Sequence, residues 1–294
     1  MPWYQLDNPK DPRLDELAKE YNLHPLHVED ARSEDENVKV DSGSHYTFAV
    51  LKPVYLKPDP DAPTEQMPVF TTVDVFAGKD FLITVVDPVC PATNEALDRA
   101  RRDGDAEHPS RLLYLILDTI VDRYFPAIDY YDDRIDELED EVFDNPAPEI
   151  LAKVFAIKRE LIDLRRVLVN TRDACLHLQR DPNTIIDGEH QLYIRDTYDH
   201  VVRLLDAVET QRDLLNNTLD IYLTSVSNRT NEVMKILTIL GTIALPALAI
   251  SGIYGMNLKG LPFEESPHGA LYVGFLTVMC TVLMLFVLRR MKWL

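Results

Sequence analysis

ILTILGTIALPALAISGIYGMNL, residues 236–258, and GALYVGFLTVMCTVLMLFVL, residues 269–288, decide how this chain is read. The first run is 23 residues without a charged side chain and the second is 20. About 20 apolar residues in a helix cross the hydrocarbon core of a bilayer. Two such runs, ten residues apart, predict a transmembrane hairpin rather than two core helices of a soluble protein, because core helices rarely run so far without a charge. Arg229 and Lys235 precede the first run, and Arg289, Arg290 and Lys292 follow the second, whereas the connecting loop sets Lys259 against Glu264 and Glu265. The positive-inside rule then predicts that both chain ends are cytoplasmic and the loop external. Trp293 reads as an interfacial anchor.

The remainder of the chain is acidic. Its 294 residues carry 30 Lys/Arg and 49 Asp/Glu, a net charge of −19. Residues 229–294 hold six basic and three acidic side chains, so residues 1–228 hold 24 and 46, a net of −22. Such a domain repels nucleic-acid phosphates and attracts cations. Its like charge opposes self-association unless something neutralises it. A composition 46% apolar and 27% charged excludes collagen-like, disordered and disulfide-scaffold classes. Cys90, Cys175 and Cys280 are far apart and form no CxxC, so neither disulfides nor a cysteine zinc site is expected. Met1–Lys19 is polar, unlike a signal peptide. There is no P-loop, HExxH, Gly-x-Ser-x-Gly or dinucleotide fingerprint, so no enzyme activity and no bound nucleotide are expected.

Residues 1–105 read as an α/β domain with an at least partly antiparallel sheet. Trp3–Leu6, Tyr46–Tyr55, Val69–Phe76 and Phe81–Val86 have strand composition. Lys57–Pro68 reads as a proline-rich loop and Gly78-Lys79-Asp80 as a hairpin turn. Asp11 is placed to cap a helix reaching Glu20 with Pro12 at its first position, and Pro25–Ala31 and Asn94–Asp103 read as helices. Residues 106–189 read as helices packing beside a long stalk helix that begins near residue 190. Ser110 is placed to cap a helix to Phe143 that Pro126 would kink. Pro148–Gln179 carries Ile150, Leu151, Val154, Ile157, Leu161, Leu164 and Leu168 at helical spacing. From His190 there is no glycine until Gly241 and no proline until Pro246. One helix of about 64 residues, roughly 96 Å long, is therefore expected from about His190 through Tyr254, within a stalk-and-span segment 190–258 whose first span lies at about 236–257. No such rod is stable alone, so it must pack on neighbours. Residues 259–268 form the external loop, 269–288 the second span and 289–294 a basic tail.

On the long helix, Asp220, Leu223, Ser227, Asn231, Met234, Thr238, Gly241, Leu245, Leu248 and Gly252 recur at three or four and share one face. Such a stripe fits close helix packing through small residues. It equally fits a pore lining, which one hairpin cannot enclose and which therefore demands a closed homo-oligomer.

Tyr254-Gly255-Met256-Asn257 ends the first span. With Asn-Glu-Val-Met-Lys at 231–235, a short loop, one further span and a terminal Arg-Arg-Met-Lys-Trp-Leu, it resembles the CorA family of divalent-cation channels. The resemblance is dense over 190–294 and recognisable over most of the chain. It implies a homopentameric, funnel-shaped channel in the plasma or inner membrane, passing Mg²⁺ passively and gated by internal Mg²⁺. It implies a selectivity filter of Gly255, Met256 and Asn257. A ring of amide carbonyls suits an ion that sheds water reluctantly and must be released. Asn257 is equally suited to cap a helix C-terminus. It further implies pore and gate positions at Asp220, Asn231, Met234, Leu237 and Leu245, and a regulatory Mg²⁺ site between subunits from Glu29, Asp30 and Asp196. Glu264 or Glu265 would gather cations at the external mouth, and Lys292 would belong to a basic ring. The loop departs from the family in reading Leu-Pro-Phe-Glu-Glu-Ser at 261–266, and Leu248 stands where a small polar residue is frequent.

Two alternatives stay open. The same architecture could carry Zn²⁺, Co²⁺ or Ni²⁺, although no Cys or His lies on the striped face, as softer metals would favour. His24 and His27, three apart, are the nearest candidate zinc pair. The other alternative is a membrane-anchored scaffold or signalling protein whose hairpin is only an anchor.

Overall fold

The computed structural model describes residues 1–33, 36–58, 66–86, 91–103, 108–256, 260–263 and 266–290. They divide into two units, Met1–Leu219 and Asp220–Leu294. In chain order the elements are β1 (Trp3–Leu6), α1 (Arg13–Glu20), α2 (Pro25–Asp30), β2 (Lys39–Ser42), β3 (Tyr46–Leu51), β4 (Val54–Pro58), β5 (Gln66–Phe70), β6 (Val73–Gly78), β7 (Leu82–Val86), α3 (Pro91–Asp103), α4 (Pro109–Asp122), α5 (Tyr124–Asp144), α6 (Pro148–Arg180), α7 (Gln191–Gly255) and α8 (Gly269–Arg290).

In the first unit, five strands pair in the order β1-β7-β6-β3-β2. β1 runs parallel to β7 and the other neighbours are antiparallel. Every residue of β3, β6 and β7 is buried, which explains why these strands are mostly apolar rather than alternating, with Asp74 of β6 the buried acid among them. Phe48, Val50, Phe76, Ile83 and Val85 cluster with Leu14 and Leu17 of α1 and with Leu23 and Ala31. On the opposite face the Thr47 hydroxyl accepts the Ile185 N–H at 2.8 Å, which puts the turn after α6 there. β2 is short and polar, with only Val40 buried, and carries no strand signal in the sequence.

The expected strands Tyr46–Tyr55 and Val69–Phe76 are each broken in two. The breaks fall at Lys52-Pro53 and Thr71-Thr72, yet one register runs through both, with Leu51 opposite Val73 and Val54 opposite Phe70. The ribbon therefore bends at a single level. Pro53 has no N–H to donate, and its carbonyl accepts from Thr71 N at 3.0 Å. Beyond the bend, Lys57, Pro58, Met67 and Pro68 are strand rather than loop. Their prolines are tolerated because β4 and β5 each pair with one neighbour only.

The expected helix from Ser110 to Phe143 is two helices. The break at Arg123 leaves Pro126 as the third residue of α5, where the missing N–H has no helical acceptor to lose. The buried Tyr124 hydroxyl donates to the Lys52 carbonyl at the ribbon's bend. Ser110 is not the cap of α4: His108 holds that position, with Pro109 first in the helix. Ser110 is buried and its hydroxyl lies 3.1 Å from His190 Nδ1. Likewise Pro12 is the cap residue of α1 rather than its first residue, while Asp11 Oδ1 accepts the Arg13 N–H at 2.9 Å. In α6 the expected stripe is buried except Leu151, which is half-buried, and it continues through Thr171, Ala174, Cys175 and Leu178.

The first part of α7 buries Ile194, Thr197, Val201, Leu204, Val208, Gln211, Leu215 and Thr218. Their spacing alternates three and four, a 3.5-residue repeat of the coiled-coil kind. The donors of the polar members are matched, while Gln211 Oε1 is buried without a partner. Thr197 Oγ1 donates to Asp118 Oδ1 at 3.3 Å. Gln211 Nε2 donates to the Ile128 carbonyl at 2.8 Å and to Asp132 at 2.9 Å. Thr218 Oγ1 donates to Glu139 at 3.1 Å. These bonds fix the register of α7 on α4 and α5.

In the second unit, α7 runs on through Pro246 to Gly255 and α8 follows the loop. Both helices are long and apolar enough to cross a membrane. The Tyr254 hydroxyl donates to the Pro262 carbonyl at 2.9 Å, and the Phe263 and Tyr272 rings lie 5.2 Å apart. Gly269 is required here, because a Cβ would sit 2.3 Å from the Phe263 carbonyl oxygen.

Leu164 is fully buried on α6, whereas Phe143 at the end of α5 is 83% exposed. Leu164→Ala is expected to cost about 2–5 kcal/mol and Phe143→Ala less than about 0.5 kcal/mol, read by denaturation of the purified full chain in detergent.

Candidate ion path and metal-binding clusters

All ten residues of the expected stripe, Asp220 to Gly252, are exposed in the protomer. Within the membrane-crossing length, Ile239, Ile243, Pro246 and Ile250 form a half-buried row. At 100° per residue, Gly241, Leu245 and Leu248 lie about half a turn from that row. The helix is thus covered on one side and open on the side carrying the stripe. Thr238 Oγ1 donates to the Met234 carbonyl at 2.8 Å. The hydroxyl proton is committed inside the helix, so its lone pairs face outward. Such a surface suits the water of a hydrated cation, whose hydrogens point away from the ion. Pro246 withdraws an N–H from the Thr242 carbonyl, but both residues are half-buried, so that acceptor does not belong to the striped face.

Asn231, Met234, Leu237 and Leu245 are all exposed, and Leu237 lies beside the stripe rather than on it. Gly255 is the last residue of α7, and Met256 N–H donates to the Ile253 carbonyl at 3.3 Å. Asn257, Glu264, Glu265 and Lys292, expected at the filter, mouth and basic ring, lie outside the described residues, as does Trp293.

Among the expected regulatory carboxylates, Glu29 is exposed and ends α2 together with Asp30. Asp30 accepts from Lys39 Nζ at 2.9 Å, and Lys39 also reaches Glu36 at 3.4 Å. Burial pulls the Lys39 value down, but the Asp30 and Glu36 carboxylates outweigh it and leave it raised. Asp196 is exposed on α7, with Oδ2 3.9 Å from His200 Nε2. Asp30 and Asp196 share no partner within the protomer among the described residues.

Asp196 borders a cluster that the sequence reading did not single out. Asp118 and Asp122 of α4 and His200 of α7 bring one ligand atom each to within 4.8 Å of one another. Asp118 has 8% of its side chain exposed and is held by Arg99 at 2.9 Å. Burial, then the charge of Asp118, pushes the Asp122 carboxyl above its usual range. His200 Nδ1 is buried without a hydrogen-bond partner, 4.0 Å from Asp122 Oδ1. Two hard carboxylates and an orphaned imidazole nitrogen form a donor set that a divalent cation would satisfy. The signal was present in the sequence as two i, i+4 pairs, Asp118/Asp122 and Asp196/His200, a spacing that puts both members on one helix face.

His24 and His27 are used structurally. His24 Nδ1 accepts the Leu26 N–H at 3.3 Å, capping α2, and His27 Nδ1 lies 2.8 Å from the Tyr46 hydroxyl. Burial, ahead of the neighbouring charges, lowers the His27 value, which favours the neutral ring.

In metal-free protein the cluster is electrostatically frustrated. Asp118→Asn is expected to destabilise the EDTA-treated protein by about 1–3 kcal/mol, since Arg99 loses its charged partner. Asp122→Asn is expected to raise its melting temperature by removing like-charge repulsion. Thermal melts of both variants in EDTA would show the opposite signs.

A family model described as CorA-like Mg²⁺ transporter protein matches residues 1–290. The cobalt/magnesium transport protein CorA of Thermotoga maritima is 37% identical over 278 residues, covering 93% of this chain and 78% of that protein. The putative metal ion transporter YfjQ of Bacillus subtilis is 30% identical, covering 91% and 82%. The complete structure of the CorA magnesium transporter from Methanocaldococcus jannaschii superimposes with a TM-score of 0.85 at 25% identity, covering 99% of this chain and 91% of that one.

Proposed function

We propose, from the premise that this chain belongs to the CorA-like Mg²⁺ transporter family, that it assembles as a homopentameric channel for passive entry of hydrated Mg²⁺. The observation that carries the proposal is the striped face of α7, exposed from Asp220 to Gly252 in the protomer and, over the membrane-crossing length, opposite a half-buried row. Five copies with that face turned inward would enclose a path of Asp220, Asn231, Met234, Leu237, Thr238 and Leu245. Met234, Leu237 and Leu245 would close it by dewetting. Gly255, Met256 and Asn257 would form the filter, where an amide carbonyl binds more weakly than a carboxylate and so releases the ion. Glu264 or Glu265 would concentrate cations at the mouth, and Lys292 would sit among basic residues at the cytoplasmic end. Both termini would be cytoplasmic, in the plasma or inner membrane, with the lipid bilayer as the only other partner. No nucleotide is required: a membrane potential drives a divalent ion with roughly 4.6 kcal/mol per 100 mV.

Regulation would follow from the carboxylates of the first unit. Glu29 and Asp30 of one subunit would meet Asp196 of the next, and Asp118, Asp122 and His200 adjoin Asp196 on its own subunit. Bound Mg²⁺ would bridge groups that otherwise repel, favouring the closed ring, and its loss would shift the population toward open states. The relatives named for cobalt as well as magnesium, and the imidazole in the cluster, support Co²⁺ or Ni²⁺ as further ligands. The absence of Cys and His from the described stripe disfavours a dedicated Zn²⁺ path.

The test is flux into proteoliposomes loaded with a Mg²⁺-sensitive dye, at low internal Mg²⁺ and under an inside-negative potential. Mg²⁺ entry is expected in the wild type and a several-fold change in Asn257→Ala at unchanged oligomeric state. Zn²⁺ entry without Mg²⁺ entry would reassign the cargo. No flux of either ion from a verified oligomer would leave the anchored scaffold.

A further inference from the structure

One half of the regulatory site proposed above, and the cluster that adjoins the other half, already hold a cation of their own. Lys39 reaches from β2 to Asp30 of α2, with Nζ 2.9 Å from Oδ2 and 3.4 Å from Glu36 Oε2. Arg99 reaches from α3 to α4. One guanidinium nitrogen lies 2.9 Å from Asp118 Oδ2, and the other lies 4.0 Å from Asp122 Oδ2 and donates to Thr119 Oγ1 at 3.1 Å. The second Asp118 oxygen accepts from Thr197, so both oxygens of this buried carboxylate are engaged. Each basic group is thus seated on carboxylate oxygens that a metal ion would use.

We propose that Lys39 and Arg99 are tethered counter-cations that compete with the regulatory divalent cation and so set the concentration at which it binds. The inference rests on the sensor reading of Glu29, Asp30, Asp196 and the adjoining cluster. Around His200, the carboxylates of Asp118 and Asp122 face the Arg99 guanidinium, and Asp196 stands on the other side of the ring. A divalent ion gains the two carboxylates of Asp118 and Asp122 and the imidazole of His200 but must crowd or expel the guanidinium, because two cations on the same oxygens repel. Arg99 has somewhere to go. It lines an open 890 Å³ pocket with Thr119 and Asp122; the acids of that pocket, Glu95 and Asp98, are paired with Arg123 and Arg101, so a displaced guanidinium moves into solvent rather than onto new partners. The arrangement has a second consequence. Without metal, the two basic groups cancel part of the repulsion within each subunit, so the metal-free state stays folded while its affinity for metal is held down.

The experiment is a Mg²⁺ titration of the full-length protein in detergent, reading the midpoint of its thermal stabilisation, with Asp196→Ala as the site-deficient control. Arg99→Gln and Lys39→Gln are each expected to lower the Mg²⁺ midpoint by about three- to tenfold, and to melt lower than wild type in EDTA. Arg99→Lys, which keeps the charge, is expected to stay within about twofold of wild type. A role limited to holding the fold would lower the EDTA melting temperature and leave the midpoint unmoved. Midpoints equal to or above wild type in both Gln variants would overturn the proposal. Should Arg99→Gln lack a cooperative transition, Lys39→Gln decides alone. A wild type that Mg²⁺ does not stabilise would remove the sensor reading itself, an outcome separate from a responsive wild type whose variants do not shift.

Discussion

A 65-residue helix has no stable free existence in water, and the first unit exists to hold the start of this one. Helix formation alone supplies too little free energy over such a length. The seam from Ile194 to Thr218 supplies the rest, at the 3.5-residue period that keeps a helix in contact with its neighbours turn after turn. Three of its eight members are Thr197, Gln211 and Thr218, which would weaken an apolar seam if their polar atoms were unpaired. Their donors are matched to Asp118, the Ile128 carbonyl with Asp132, and Glu139. Sliding α7 by a turn would strand the Gln211 amide, whereas the Thr197 and Thr218 hydroxyls would keep their bonds to the Tyr193 and Leu214 carbonyls of α7 itself, so Gln211 is the polar member that fixes register. This register determines which residue of α7 stands beside α4, and hence that His200 meets Asp122.

The charge of the first 228 residues is the second constraint. A net of −22 opposes the compact state through self-repulsion. The unit answers with pairs bridging elements, such as Lys153 with Glu141, Arg165 with Glu209 and Arg123 with Glu95. Exposed pairs of this kind contribute little individually. The Arg99–Asp118 pair differs because Asp118 is nearly buried, where an unpaired carboxylate is costly. The chain therefore places a well-held basic side chain beside the acids that, among the described residues, cluster with His200. This is the same place at which an external cation would bind most strongly.

The membrane half of this architecture was legible because lipid imposes a single rule, a length of apolar helix, that composition states directly. The long helix was legible for the complementary reason: from Gln191 to Leu240 nothing in the sequence can stop it. What escaped the reading depended on pairings across the fold. The bend at Lys52-Pro53 is invisible until Thr71-Thr72 is known to lie opposite, and β2 is a strand only because β3 offers an edge. Ser110 has every property of a cap, but Pro109 takes the first helical position and the turn at Asp187–His190 claims the hydroxyl. The cluster of Asp118, Asp122 and His200 spans 82 residues of sequence, and each pair on its own resembles the solvated acids that fill this chain. The sequence points to Asp196 only through its resemblance to a family; the orphaned His200 nitrogen beside Asp122 is a reason that belongs to this molecule.

The proposed path and the proposed sensor ask opposite things of one ion, and the chain separates them by ligand charge. A dissociation rate is the product of the association rate constant and the dissociation constant. With electrostatically assisted association near about 10⁸–10⁹ M⁻¹s⁻¹, a site of about millimolar affinity releases its ion roughly 10⁵–10⁶ times a second, whereas a micromolar site releases it a thousandfold more slowly. Over its membrane-crossing length a path can therefore use amide, hydroxyl and carbonyl oxygens, which bind weakly, and clustered carboxylates there would obstruct it; Asp220 precedes that length. A sensor faces no such limit, because it must only equilibrate with the cell. Clustered carboxylates at a sensor create a different difficulty, since they can saturate below the concentrations that need reporting. A basic side chain held against the same oxygens weakens binding without removing a ligand. On this view, neutral oxygens along α7 and cation-shielded acids on α2 and α4 are two solutions to one requirement: Mg²⁺ must be bound loosely enough to leave.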